Sequence, residues 1–424
     1  MVLNVCQNGS GRAARPRWRY RRLPLVIAFA LGGSPLAAQD ITRTTPIDDL
    51  PRPGYEPRTI QTGGFVIEPR LDLGVRFDNN IFATDENRKS DTIFLVRPSV
   101  EVNRDTDTSM FFLRGYGEFS RYAKTSQENT DQFGIRASYR KGFGDRHWVT
   151  ATASFDRTFD RRGAPEANPD LTQSPALINV TNGDLEYRYD GPRIGVTATA
   201  GVTKLDYLSL EDSDRDMLTY RVAVKGQVKL SQRVAVFVQP YLNDREPRLK
   251  TDRNGVDRST TTYGALAGVS LELGDKLNGN IGIGIFHSNP RDLALDAFTG
   301  LSANGQLTWR PQTRTAVRLD IFRGDVATIR AGAMGRIDTR IDLGIDQEVR
   351  HNLIMRGSVG MRNVHYRESF DADQRYWTAE GGARYLLNRH MWIEAVATYT
   401  RRTADTAADE FSKWQGMIRL GLTY

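Results

Sequence analysis

The 424-residue chain has a single cysteine, Cys6, and it falls in a stretch that reads as a removable targeting segment. With that stretch gone no thiol remains, which excludes disulfides, cysteine metal sites and cysteine nucleophiles. Long hydrophobic runs are missing as well. Nothing approaches the roughly eighteen apolar residues of a membrane-spanning helix, and the longest apolar stretch is residues 23–33. Ahead of it stand Arg12, Arg15, Arg17, Arg19, Arg21 and Arg22 with no acid, and after it come the small residues of SPLAAQD. That order predicts a secretory signal peptide, residues 1–38, cleaved after Ala38. The Arg21, Arg22 pair lacks the rest of a twin-arginine pattern, so ordinary export is the expectation.

An excess of one charge is absent too. The chain carries 58 basic and 51 acidic residues, but six arginines leave with the signal, so 52 remain against 51. A near-neutral chain has no electrostatic footprint for nucleic acid, and no such partner is expected. Helical periodicity is the last absence. Residues 39–64 are proline-rich and aperiodic, which predicts a flexible periplasmic segment, and residues 65–424 show no 3.6-residue pattern.

What is there is a period of two. In GRIDTRIDLGIDQEV (residues 335–349), Ile337, Thr339, Ile341, Leu343 and Ile345 alternate with Arg336, Asp338, Arg340, Asp342 and Asp346. Successive side chains of a strand point to opposite faces, so one face is aliphatic and the other charged. The same alternation recurs in LDLGVRFD, QFGIRASYRK and LTYRVAVKGQVKL. Eight short connections fall near 105–109, 144–146, 190–193, 231–233, 274–276, 311–313, 350–352 and 388–390. Nine longer polar ones fall near 79–90, 124–129, 160–174, 210–215, 244–258, 289–292, 324–332, 367–374 and 403–410. Seventeen connections predict about eighteen strands, sixteen if two segments are miscounted.

Two architectures fit an all-β chain of this kind. Tandem soluble sandwiches would pack the aliphatic faces together and turn the charges to solvent. A transmembrane antiparallel up-and-down β-barrel over residues 65–424 reverses this, with short periplasmic turns and long extracellular loops. Three features favour the barrel. The pattern runs unbroken for roughly 360 residues, many strands are long enough to cross a bilayer, and the last strand is amphipathic with an aromatic end. That strand places Trp414, Ile418, Leu420, Leu422 and Tyr424 on one face. Such a terminus resembles the signal read by the outer-membrane assembly machinery, with Ile418, Leu420, Leu422 and Tyr424 carrying it. Trp148, Trp309 and Trp392 beside short turns, and Trp377 and Trp414 beside long loops, are expected as membrane-interface aromatics.

With aliphatic residues toward outer-membrane lipid, the polar faces line the lumen. The expected pore-lining set is Arg97, Arg114, Arg136, Arg221, Lys225, Arg318, Arg336, Asp338, Arg340, Asp342, Arg384 and Arg419. Charges in that number must be hydrated or paired, because an unpaired charge in a dry core is very costly. The catalytic inventory is thin, and no catalytic residue, metal site or cofactor is expected. His287 and Ser288 are similar to the His/Ser pair of a lipase-type barrel, but neighbours in a strand face opposite sides unless the backbone bulges there. His365, with Asp371 and Asp373, is the material of an Asp/His protease barrel. The acidic stretches 85–86 and 211–214 lack the spacing of a calcium loop.

Residues 71–102, LDLGVRFDNNIFATDENRKSDTIFLVRPSVEV, resemble the opening of the second putative outer-membrane β-barrel porin family. There a first strand runs into an Asp-Asn pair, here Asp78 and Asn79, and then a polar loop. A second strand containing proline follows, here with Asp91 and Pro98. The resemblance implies a porin-like channel, and some members' association with exopolysaccharide synthesis implies a polysaccharide outlet. It brings no catalytic residues. The expectation is thus a channel in the outer membrane of a Gram-negative cell, passing polar solutes or a polysaccharide. A barrel enzyme and a plugged structural or adhesive barrel are the alternatives.

Overall fold

The computed structural model describes residues 46–424, apart from 168–169, 253–254, 275, 329, 331–332, 334 and 368–372. The segment read as a signal peptide and residues 39–45 lie outside the described residues. A three-residue strand, β1 (Ile60–Thr62), precedes eighteen long ones. The first half of the wall is β2 (Phe65–Asp78), β3 (Asp91–Asp105), β4 (Ser109–Tyr122), β5 (Thr130–Phe143), β6 (His147–Phe159), β7 (Leu177–Asp190), β8 (Ile194–Tyr207), β9 (Met217–Lys229) and β10 (Val234–Pro247). The second half is β11 (Thr260–Leu273), β12 (Leu277–Pro290), β13 (Phe298–Gln312), β14 (Thr315–Val326), β15 (Gly335–Arg350), β16 (Leu353–Arg367), β17 (Gln374–Leu386), β18 (Met391–Ala404) and β19 (Phe411–Thr423).

Every long strand pairs antiparallel with its neighbour in sequence, and β19 pairs with β2 from Gln415↔Asp78 to Thr423↔Arg70. The sheet therefore closes on itself and leaves no long unpaired edge. The count is eighteen, and all seventeen connections fall where turn chemistry predicts them. The strands run 12 to 16 residues, enough for a tilted crossing of a hydrocarbon core with a rim at each end.

Alternation sorts the faces as expected along most of the wall. Leu73, Val75 and Phe77 of β2, Val222, Val224 and Val228 of β9, and Ile341, Leu343 and Ile345 of β15 are all exposed on the outside. A continuous aliphatic exterior of this extent has no place in water. Inside, large rings lie across glycines of the neighbouring strand. Trp148 stands opposite Gly142, Tyr241 opposite Gly264, Phe286 opposite Gly300 and Trp392 opposite Gly421. A Cβ on Gly142 would come within 2.6 Å of the Trp148 ring, and one on Gly421 would overlap the Trp392 indole. Gly421→Val should therefore destabilise the barrel by about 1–3 kcal/mol through overpacking. The expected readout is a lower urea midpoint for refolded protein; an unchanged midpoint would show that the indole repacks freely.

At the long-loop end the wall departs from simple alternation. β14 pairs with β13 only as far as Arg323↔Ala303, while it stays paired with β15 to Val326↔Arg336. Beyond that split the β14–β15 end tucks inside the neighbouring wall. Asp325 accepts hydrogen bonds from Arg245 at 2.5 Å, Thr262 at 2.7 Å and Ser288 at 3.3 Å. Ile337, expected against lipid, instead packs with Phe286 and Phe298. Parity is overridden here because the parted end of β14 is held to the inner wall by side chains, Arg245 also donating to the Asp325 carbonyl at 2.8 Å.

Candidate functional site: the lumen wall

The twelve residues expected to line the pore share the parity opposite the exposed aliphatic set, with Arg336, Asp338 and Arg384 buried, and most are held in ion pairs across or along strands. Arg97 donates to Glu118 at 2.6 Å, Arg114 stands 3.6 Å from Glu101, and Arg221 lies 3.5 Å from Asp184. Lys225 donates to Ser270 at 3.1 Å and sits 4.1 Å above the Phe237 ring. Two denser knots occupy the β14–β19 sector. The upper one centres on Asp338, which is 0% exposed and touches Arg336 at 2.9 Å, Arg340 at 3.3 Å and Arg362 at 2.5 Å. Arg336 also reaches Glu166 at 3.3 Å, on the connection between β6 and β7.

That connection reaches across the long-loop end. The Tyr376 hydroxyl donates to the Gly163 carbonyl at 3.1 Å and Thr328 donates to Glu166 at 2.6 Å, so residues 160–167 reach the β14–β18 side. At its base Asp160 pairs with Arg215 at 2.6 Å. Burial nevertheless pushes the Asp160 carboxyl above its ordinary range, against the pull of Arg215.

The lower knot lies at the short-turn end. Glu394 accepts from Arg356 at 2.8 Å and Arg384 at 3.0 Å, and also from Arg419. Asp346 pairs with Arg318 and stands 3.7 Å from Arg356. Glu348 is shared by Arg314, His351 and Arg52. Neither Glu394 nor Glu348 stands out in the sequence, although parity places Glu394 directly between Arg384 and Arg419. Arg52 and Asp48, which joins Arg356 and Arg384, come from the N-terminal segment, where no periodicity points to a wall contact.

The family model described as "putative beta-barrel porin 2" matches residues 52–424. The chain belongs to that family. No curated protein matches it. Among solved structures it is similar to the FrpB iron transporter from Neisseria meningitidis, with 11% identity over 88% of this chain and 83% of that one, at a TM-score of 0.46. It is also similar to the outer membrane protein opdK from Pseudomonas aeruginosa, with 10% identity over 84% of this chain and 99% of that one, at a TM-score of 0.45.

In this porin the five expected interface tryptophans divide. Trp309, Trp377 and Trp414 stand on the outer face, each about half exposed. Trp148 and Trp392 do not belong with them. Trp148 lies 4.4 Å under the Arg140 guanidinium and Trp392 the same distance under that of Arg384, both inside. Each indole is clamped between an arginine and a facing glycine, a polarised stack that a lumen favours. Ile418 (64% exposed) is on the outer face of the last strand, the register carries Leu420 and Leu422 on the same parity, and Tyr424 (58% exposed) follows the strand's end.

Of the enzyme candidates, His287 and Ser288 do not come together. His287 faces outward to Thr299 at 3.0 Å and the Tyr263 ring, while Ser288 is buried inside on Asp325. His365 does meet Asp373 at 2.7 Å, but the pair is exposed, and Asp371 lies outside the described residues. Among the described residues no group of three or more His, Cys, Asp or Glu side chains is arranged to hold a metal.

Proposed function

We propose that this porin is a passive outer-membrane channel for polar solutes, exported by its N-terminal signal and inserted through its final strand. One observation carries the reading. A closed wall of eighteen strands turns its aliphatic residues out and its ion-paired residues in. Barrels of sixteen to eighteen strands enclose an aqueous channel, and the paired arginines and carboxylates need water or each other. Trp309, Trp377 and Trp414 then lie at the bilayer interfaces, where amphipathic rings are favoured. The knots at Asp338 and Glu394 hold the wall in shape and set a polarised path between them.

A narrower reading, passage of a saccharide chain, is supported by the middle of the wall. There Gln239, Tyr241, Asn243, Thr262, Ser302 and Asn304 line one recess, alongside the charged Asp184, Arg221, Arg323 and Asp325. Amides and hydroxyls hydrogen-bond sugar hydroxyls without demanding a charge.

Full-length protein refolded into planar bilayers should give discrete, ohmic current steps. Oligosaccharides of graded length should interrupt that current for longer as they lengthen. Absence of any conductance would overturn the channel. Current indifferent to oligosaccharides would remove the saccharide reading alone, and hydrolysis of phospholipid or peptide would restore the enzyme.

A further inference from the structure

Residues 46–52 are not part of the wall, yet they are seated on its inner face. Ile47 is 0% exposed, enclosed by Ala316 and Ile354 with Leu50 against it. Arg52 folds the segment back on itself, donating to the carbonyls of Asp48 at 2.7 Å and Leu50 at 3.3 Å, and to that of Ile47. It also anchors the segment by pairing with Glu348 at 3.1 Å. The side chain that faces the lumen network is Asp48, which pairs with Arg356 and lies 3.3 Å from Arg384.

Arg318, Arg356, Arg384 and Arg419 face the buried wall carboxylates Asp346 and Glu394. Asp48 adds a carboxylate that does not belong to the wall, on a segment held by one buried isoleucine and two sets of ion pairs. The arginines are meanwhile held in place independently of it. Glu394 fixes Arg356, Arg384 and Arg419, and the Trp392 ring backs Arg384 at 4.4 Å. A preorganised guanidinium pair with a carboxylate seated between is the geometry of anion recognition.

We propose that residues 46–52 are an internal latch. Its Asp48 carboxylate occupies an anion station formed by Arg356 and Arg384 at the short-turn mouth. Displacement of the latch frees that station for a carboxylate- or phosphate-bearing solute. The claim that this widens the conducting path rests on the channel reading; the claim of an anion station does not.

Two probes, inorganic phosphate and succinate, test the station by calorimetry on the full chain in detergent. Asp48→Asn with Arg52→Gln should bind them at least about tenfold more tightly than the unaltered protein, the effect of uncovering a charge-assisted pair. Adding Arg384→Gln should abolish the gain. Equal binding by the unaltered and latch variants, or a gain that survives Arg384→Gln, overturns the station. A lock guards against misfolding of the variants: Ile47→Cys with Ala316→Cys, in a Cys6→Ser background. Oxidised, this protein should refuse phosphate and conduct least; reduced, it should behave as the unaltered chain. Phosphate uptake by the oxidised form overturns the latch. In bilayers the latch variant should conduct more and shift its reversal potential toward anions. If phosphate binds as expected but neither protein conducts, the channel reading fails and the station stands. If both conduct alike and no phosphate binds, the station fails and the channel stands.

Discussion

Asp338→Ala should lower the stability of the refolded barrel by about 3–5 kcal/mol, the cost of removing one member of a buried ionic cluster and leaving the others behind. Asp338 is fully buried and touches three guanidiniums, those of Arg336, Arg340 and Arg362. Glu166 still answers for Arg336. Arg340 and Arg362 would be left facing each other across a directly opposed cross-strand pair, where like charges repel. Equilibrium urea unfolding in lipid vesicles, followed by tryptophan fluorescence, measures the loss. Asp338→Asn, which keeps the shape but not the charge, should also lose stability. A loss under about 1 kcal/mol for both variants would mean that water already solvates the knot. The tucked end of β14 and β15 would then be looser than its contacts indicate.

Leu343→Arg should cost about 2–4 kcal/mol if its position lies near the bilayer midplane, the expense of an arginine facing lipid there. Leu343 pairs with Leu319 on one side and Val359 on the other, midway along β15, and it is 45% exposed on the outside. The same change in water would cost almost nothing, since an exposed leucine replaced by arginine leaves no cavity and buries no charge. The measurement is therefore also a test of environment. Refolding into vesicles should fail or shift to lower urea for Leu343→Arg, while Asp342→Asn, one residue away on the inner face, should change the midpoint little. Equal tolerance at both positions would remove lipid from the outer face.

Much of this was legible in a single sequence, because a period of two is unforgiving. Each strand of LTYRVAVKGQVKL type states its own faces, and polar spacers state where it turns. Parity also held the answer for two residues assigned otherwise. In HWVTATASF the outward set is Val149, Ala151, Ala153 and Phe155, which puts Trp148 inside; WIEAVAT does the same for Trp392. A tryptophan's preference for interfaces yields here to the alternation, and the facing Gly142 and Gly421 leave the room each indole needs. Ile337 is a different case. Its parity points outward, and only the parting of β14 from β13 turns it in. The partners of Asp325, Asp48 and Arg52 lie 80, 308 and 296 residues away. No local pattern encodes such distances.

Those separations bear on the order in which the molecule is made. Asp48 meets Arg384 across 336 residues, and its seat needs side chains from β14, β16 and β17 at once. Contacts that close so long a stretch of chain form late, after the entropy of closure has been met by other pairings. The segment that is synthesised before the whole wall is thus the last to settle. A barrel whose later strands are missing or out of register offers it no place, so a seated Asp48 marks a wall that has been completed.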